Sequence, residues 1–260
     1  MRSNHINSIL LKIKNINESE ILVDNKNFFI VYKAPKVHSV PGKGKSLVEW
    51  LLEKKPELKN ISGKEAGLIN RLDFETHGLV LFAADNNSYL KFLEDQNKGN
   101  IIKKYSALVS SSDKRNSGFP ANIENLINIH CPYTIKSYFR PYGPGRMQVR
   151  PVEETTDKKY LKKHKIADKI YSTEILDKHL IAENLVEKEI FSLRVCISQG
   201  FRHQIRCHLA WLGFPILNDM IYGEHKAGQG LLALRACGIE FNDPESGKIL
   251  HYKLADRPLL

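Results

Sequence analysis

Residues 70–81 read Asn-Arg-Leu-Asp-Phe-Glu-Thr-His-Gly-Leu-Val-Leu, and no other stretch constrains the fold more. The apolar run Leu79-Val80-Leu81-Phe82 behind Gly78 reads as a short buried strand reaching Ala84. The Arg71-Leu72-Asp73 triplet upstream therefore stands at the mouth of that strand. A carboxylate at such a place can act as a nucleophile.

Around this strand, helix and strand signals alternate without a regular strand–helix–strand rhythm. Phe28–Tyr32 reads as a strand that runs into the turn signals Lys33-Ala34-Pro35 and Ser39-Val40-Pro41-Gly42. Ser46-Leu47-Val48-Glu49 has capping-box spacing, so a helix is predicted to start there and stop before Pro56. Residues 86–98 read as a second helix with Leu90 and Leu93 inward, closed by Gly99. Lys103–Val109 reads as a strand, and residues 111–165, with Pro132, Pro141, Pro144 and Pro151, as irregular. Strand character resumes at 171–176 and 189–198, where Phe191, Leu193 and Val195 alternate with Ile190, Ser192 and Arg194. After Gly200 a helix is predicted to about Leu212, with Ile205, Leu209 and Leu212 on its buried stripe and Gly213 and Pro215 ending it. Arg202 and Arg206 are four apart, so they are expected to share an outward face. Residues 1–20 are polar and asparagine-rich and read as an N-terminal arm or an edge strand. The mixture predicts an α+β fold with a mixed, largely antiparallel sheet flanked by helices and loops, rather than a doubly wound one.

The 260 residues, 42% of them hydrophobic, suffice for one large domain or two small ones. A formal net charge of +10 favours a polyanionic partner, RNA or DNA first and an acidic membrane surface second. Lys158–Lys165 is a basic run whose ordinary role is a solvated face and whose functional role would be a phosphate-contacting insertion, within a longer basic stretch near 141–170. The four cysteines are widely spaced with no Cys-x-x-Cys pair, which argues against a zinc ribbon and fits a reducing cytosol. No apolar run is long enough to cross a bilayer, and the first residues lack signal-peptide features, so no membrane role and a cytoplasmic location are expected. His203 and His208 are five apart rather than the four of a helical metal pair, and no metal or organic cofactor is expected.

Several collinear blocks resemble the RluA-type family of RNA pseudouridine synthases, from about Val31 to Phe241. They are Val31-Tyr32-Lys33-Ala34-Pro35 with Ser39-Val40-Pro41-Gly42; Asn70-Arg71-Leu72-Asp73 with Thr76 and Gly78; Lys104-Tyr105; and His203-Gln204-Ile205-Arg206 with Leu212-Gly213, Asp219 and Tyr222-Gly223. The resemblance implies a catalytic domain over 21–260 with a central cleft. The implied reaction breaks the N-glycosidic bond of a uridine, rotates the uracil and rejoins it through carbon. Asp73 matches the family's essential aspartate, Tyr105 the tyrosine beside the base, and Arg206 the arginine that pairs with the aspartate. Arg71 matches the residue that enters the helix where the nucleotide has flipped out, and Asn70, Arg202, His203 and Gln204 fall on segments expected to contact RNA. An arginine suits the carboxylate because its planar fork grips two oxygens and stays charged. A phenol offers a flat face for uracil and a hydroxyl for proton transfer.

The chain departs from the family pattern at Asn70 (usually histidine), Phe201 (usually arginine) and His77 (usually serine). These positions are expected on the RNA-facing rim. Ribosomal RNA is the expected substrate ahead of transfer RNA, by family analogy, and a monomer the expected state. Two other functions compete. One is a noncatalytic RNA-binding protein on the same scaffold, which the departures motivate. The other is a glycoside hydrolase, which usually needs two flanking carboxylates where only Glu75 is near Asp73.

Overall fold

The structure is a computed structural model that describes residues 8–42, 44–63, 65–113, 115–121, 123–157, 159, 161, 166, 168–183, 189–223 and 230–255. In chain order its elements begin with β1 (Ile9–Leu11), β2 (Glu20–Asp24), β3 (Phe28–Lys33), α1 (Leu47–Lys54), β4 (His77–Ala83), α2 (Asn86–Lys98) and β5 (Ile102–Ser110). They continue with β6 (Tyr133–Tyr142), β7 (Gln148–Val152), β8 (Tyr171–Glu183), β9 (Glu189–Ile197), α3 (Gln204–Trp211), β10 (Leu234–Asn242) and β11 (Ile249–Leu254). This is the expected α+β class: β2–β3, β3–β4, β6–β7, β6–β8, β8–β9 and β10–β11 pair antiparallel, and β1–β11 and β4–β10 in parallel. The chain divides into two compact units, one ending at Tyr105 and taken up again from Arg235, the other running from Ser106 to Leu234.

In the first unit β3 lies antiparallel between β2 and β4, from Phe28 opposite Ala83 to Lys33 opposite Gly78. β4 then pairs in parallel with β10, Arg235 beside His77 and Ala236 beside Gly78. Gly78 has φ +127°, and a Cβ there would stand 2.2 Å from the Ala236 carbonyl oxygen, so only glycine allows this approach. Every residue of β4 is buried, as its apolar run predicts. The capping box forms: the Ser46 hydroxyl accepts from the Glu49 amide at 3.2 Å and meets the Glu49 carboxylate at 2.6 Å, a device contributing about 1 kcal/mol. Gly99 closes α2 in the left-handed conformation, φ 80°. The inward face of α2 differs from the expected one, however. Leu90 is exposed and Leu93 half-buried, while Phe92 is buried with its ring 5.5 Å from Phe241. Gln96, one turn on, donates to the Ile69 carbonyl at 2.8 Å. Ile9–Leu11 is an edge strand on β11, whereas residues 1–7 lie outside the described residues.

In the second unit β8 pairs antiparallel with both β9 and β6, and β7 pairs with β6. Phe191, Leu193, Val195 and Ile197 form the buried face of β9, as the alternation predicts. Inside the stretch expected to be irregular, Tyr133–Tyr142 and Gln148–Val152 form a hairpin joined through Gly143–Met147. The prolines misled because Pro141 and Pro151 sit where a strand tolerates them: β6 pairs with β8 through Tyr133–Ser137 and with β7 only through Tyr138–Tyr142. Most of the Lys158–Lys165 run lies outside the described residues. Leu161 and Ile166 pack with Tyr138 and Val152. α3 begins at Gln204, later than expected, and all eight of its residues are buried.

Candidate active site

Asp73 lies in a short turn before β4, where its carbonyl accepts from the Thr76 amide at 3.1 Å. The backbone on both sides is pinned from the β3 end of the sheet. Ser39 reaches Leu72 twice: its hydroxyl donates to the Leu72 carbonyl at 2.7 Å and accepts from the Leu72 amide at 3.0 Å. Lys33 is fully buried, and its ammonium donates to the carbonyls of Phe74 at 3.3 Å, Val37 at 2.7 Å and Ala34 at 3.1 Å. Leu72 therefore points inward while Arg71 and Phe74 on either side of Asp73 are exposed, and the Asp73 side chain is half-buried. A group held by a backbone that cannot relax is pre-organised for chemistry.

Asp73, Lys33 and Tyr105 come together in the first unit. Burial lowers Lys33 to about 7, and the Asp73 charge opposes that fall. Burial, then the Asp73 charge, pushes the Tyr105 hydroxyl far above the usual phenol range. Both effects favour the protonated hydroxyl. Sequence reasoning left Lys33 and Ser39 out of the site. The turn signals around them gave no hint that their side chains, 41 and 33 residues away, fix the Asp73 turn.

Asn70 and His77 do not lie on a rim. Asn70 is buried and its carbonyl oxygen accepts from the Leu81 amide at 2.8 Å, which makes it part of the turn's scaffold. His77 is fully buried beside Arg235 with neither ring nitrogen hydrogen-bonded; burial, then the charges of Arg235 and Lys33, lower it to about 4, so it is neutral. Arg71 is exposed as expected, 3.4 Å from Glu65.

In the second unit the arginine helix is organised differently from the outward basic face expected of it. Arg206 is 1% exposed and grips Asp219 in two places, Nε to Oδ2 at 2.7 Å and Nη2 to Oδ1 at 2.8 Å. Asp219 also accepts from the amides of Ile221 at 2.9 Å and Tyr222 at 3.1 Å. Burial alone would raise Asp219, but Arg206 and the two amides outweigh it and hold the carboxyl below its usual value. The Tyr222 hydroxyl stands 3.2 Å from His203 Nδ1, and His203 precedes the helix at φ 55°. Gln204 is consumed internally: its amide nitrogen donates to the Ser172 carbonyl at 2.9 Å and to Thr173 Oγ1 at 3.1 Å, and its oxygen accepts from the Phe201 amide at 2.9 Å. Phe201 also turns inward, stacked on Phe139 at 4.9 Å. Arg202 remains exposed and donates to the backbone carbonyls of Arg146 and, at 3.4 Å, Gln148. His208 is tied at both nitrogens, to Ser137 at 2.9 Å and Thr173 at 2.8 Å, and burial lowers it to about 3. Among the described residues no three His, Cys, Asp or Glu side chains gather as metal ligands would, and no described helix is long and apolar enough to cross a membrane.

Comparison with known proteins identifies the family. Residues 27–211 match the family model for RNA pseudouridylate synthase. An RNA pseudouridine synthase of Helicobacter pylori (strain J99) is 27% identical over 94% of this chain and 67% of its own length. The ribosomal large subunit pseudouridine synthase D of Blochmanniella floridana is 23% identical over 78% of this chain and 53% of its own length. The human RNA pseudouridylate synthase domain containing 1 protein shares the fold, with a TM-score of 0.62 at 17% identity over 94% of this chain and 86% of its own. The blocks around Asp73 and Tyr105 and the start of the arginine helix fall inside the matched region, and the chain belongs to the RNA pseudouridine synthase family, of the RluA type.

Proposed function

We propose that this RNA pseudouridine synthase isomerises uridines in ribosomal RNA, with Asp73 as the essential carboxylate, Tyr105 beside the base and Arg206 as a catalytic arginine. The observation that carries the residue assignment is the Asp73 turn, pinned through Leu72 and Phe74 while its charge acts on both Tyr105 and Lys33. The overall change breaks the N1–C1′ bond of uridine and forms a C5–C1′ bond. The C5 proton leaves and N1 gains one, so no redox partner is needed. An ionised carboxylate either attacks the sugar or stabilises the positive charge developing on it. The Arg206 assignment rests on the family resemblance, and its guanidinium is held in a fixed orientation by Asp219. The ribosomal assignment rests on the likeness to a synthase named for the large ribosomal subunit and on the basic charge. Arg71 and Arg202 are exposed, which supports a role for both in meeting phosphate.

The test uses RNA labelled with tritium at C5 of uridine, taken from a strain lacking this protein and fractionated into ribosomal and transfer RNA. Wild type is expected to release tritium from the ribosomal fraction, and Asp73→Ala to release none while binding the RNA equally. Release from the transfer RNA fraction alone overturns the substrate assignment. Equal release by wild type and Asp73→Ala overturns the assignment of Asp73.

A further inference from the structure

The Asp73 turn carries an aromatic group that the reaction described above does not use. Phe74 is 44% exposed, an unusual state for a large apolar ring in so well-pinned a segment. Its ring lies 4.6 Å from the half-buried His38 ring, with the planes tilted by 35°. Both rings stand on fixed backbone. The Phe74 carbonyl is held by Lys33 at 3.3 Å. The His38 amide donates to the Lys45 carbonyl at 3.2 Å, and its carbonyl accepts from Leu47 at the start of α1 at 2.7 Å. On the other side of Asp73, Arg71 is exposed and lies 3.4 Å from the half-buried Glu65, a pairing that contributes little and that a phosphate can displace. Asp73 thus has an exposed guanidinium two residues before it and an exposed ring one residue after it.

We propose that Phe74, backed by His38, is a stacking platform for an RNA base next to the target uridine. This rests on the synthase function and extends its site by one nucleotide. Every base has a flat π-face, so the platform tolerates sequence while fixing position. Extruding the target uridine unstacks its neighbour, and a ring already held in place offsets part of that loss. Phe74 is a positioning residue: it acts on binding and leaves the chemical step to Asp73.

The experiment compares wild type, Phe74→Leu, Phe74→Trp and Asp73→Asn on two probes. The first is RNA from a strain lacking this protein, read as kcat and KM for pseudouridine formation. Phe74→Leu keeps the apolar bulk and is expected to raise KM by roughly 5- to 150-fold with kcat nearly unchanged, and Phe74→Trp to restore it. A merely structural role would lower kcat and Tm together and would not be rescued by tryptophan. The second probe is a single-stranded oligoribonucleotide with one uridine flanked by 2-aminopurine. Its fluorescence is expected to be quenched by wild type and by Asp73→Asn but not by Phe74→Leu. Wild-type KM and quenching in Phe74→Leu, or a Phe74→Trp variant no better than it, overturns the platform. If wild type forms no pseudouridine in the first probe, the proposed function fails instead, and the quenching series still decides the platform.

Discussion

The two units hold their charged groups in opposite ways. In the first, Asp73 is half-buried on a turn, and the bonds that fix it run to its backbone neighbours, from Ser39 to Leu72 and from Lys33 to Phe74. In the second, Arg206 is buried on a helix with no exposed residue, and the bonds that fix it run to the charged group itself, two from the guanidinium to Asp219. The first arrangement immobilises a carboxylate through the backbone on either side of it. The second immobilises a cation by satisfying it.

The largest test of this contrast breaks the buried pair. Asp219→Ala leaves the Arg206 charge buried without its bidentate partner and is expected to cost about 3–5 kcal/mol in denaturant unfolding. The double variant Arg206→Met/Asp219→Leu is expected to recover most of that stability, since a buried pair often contributes little net stability over an apolar one, while activity stays lost. Equal instability of the single and double variants would show that Asp219 acts through the Ile221 and Tyr222 amides rather than through Arg206.

A smaller effect is expected in the first unit. Ser39→Ala strips the Leu72 amide and carbonyl of their partner and should cost about 1–3 kcal/mol. Because the pinned residue adjoins Asp73, kcat should fall more than KM rises. A loss confined to stability would separate the turn's rigidity from its chemistry.

The remaining effect is a slope, the smallest when read per pH unit. Lys33 titrates near 10.5 in the unfolded chain and near 7 when folded, so between those values folding expels a proton. Its contribution to stability is therefore least at and below pH 7 and rises with pH toward 10.5, by up to about 1.4 kcal/mol per unit. Lys103, lowered to about 8 by burial, adds a slope of the same sign over its own window. The difference between wild type and Lys33→Met, measured by unfolding at pH 7, 8 and 9, should isolate the Lys33 part. A pH-independent difference would mean that the three carbonyls hold the ammonium charged throughout.

Much of the fold is legible in the sequence where a signal is local. The Ser46–Glu49 box, the Gly99 stop and the β9 alternation each involve residues within one turn or one pleat. The legible part of the site is the short motif around Asp73 and Tyr105. Legibility fails where a pattern fits two outcomes. Leu90 and Phe92 are both apolar positions of α2, and only the packing against Phe241 selects Phe92. Pro141 and Pro151 signal a break, but a hairpin half that pairs on one side has room for them. Asn70 and Phe201 are expected on the rim, and Gln204 on an RNA-contacting segment, from the resemblance, yet each is engaged by a partner elsewhere in the chain.

By itself the sequence determined such elements as β3, β4, α1, α2 and β9, the family and the identity of a carboxylate before a buried strand, since these depend on neighbours in the chain. Only the tertiary structure decided which polar side chains turn inward: Ser39 to Leu72 across 33 residues, Gln204 to Thr173 across 31, Arg206 to Asp219 across 13. The reason is that burying a polar group is tolerable only when a partner meets it, and those partners are supplied by segments that folding brings together.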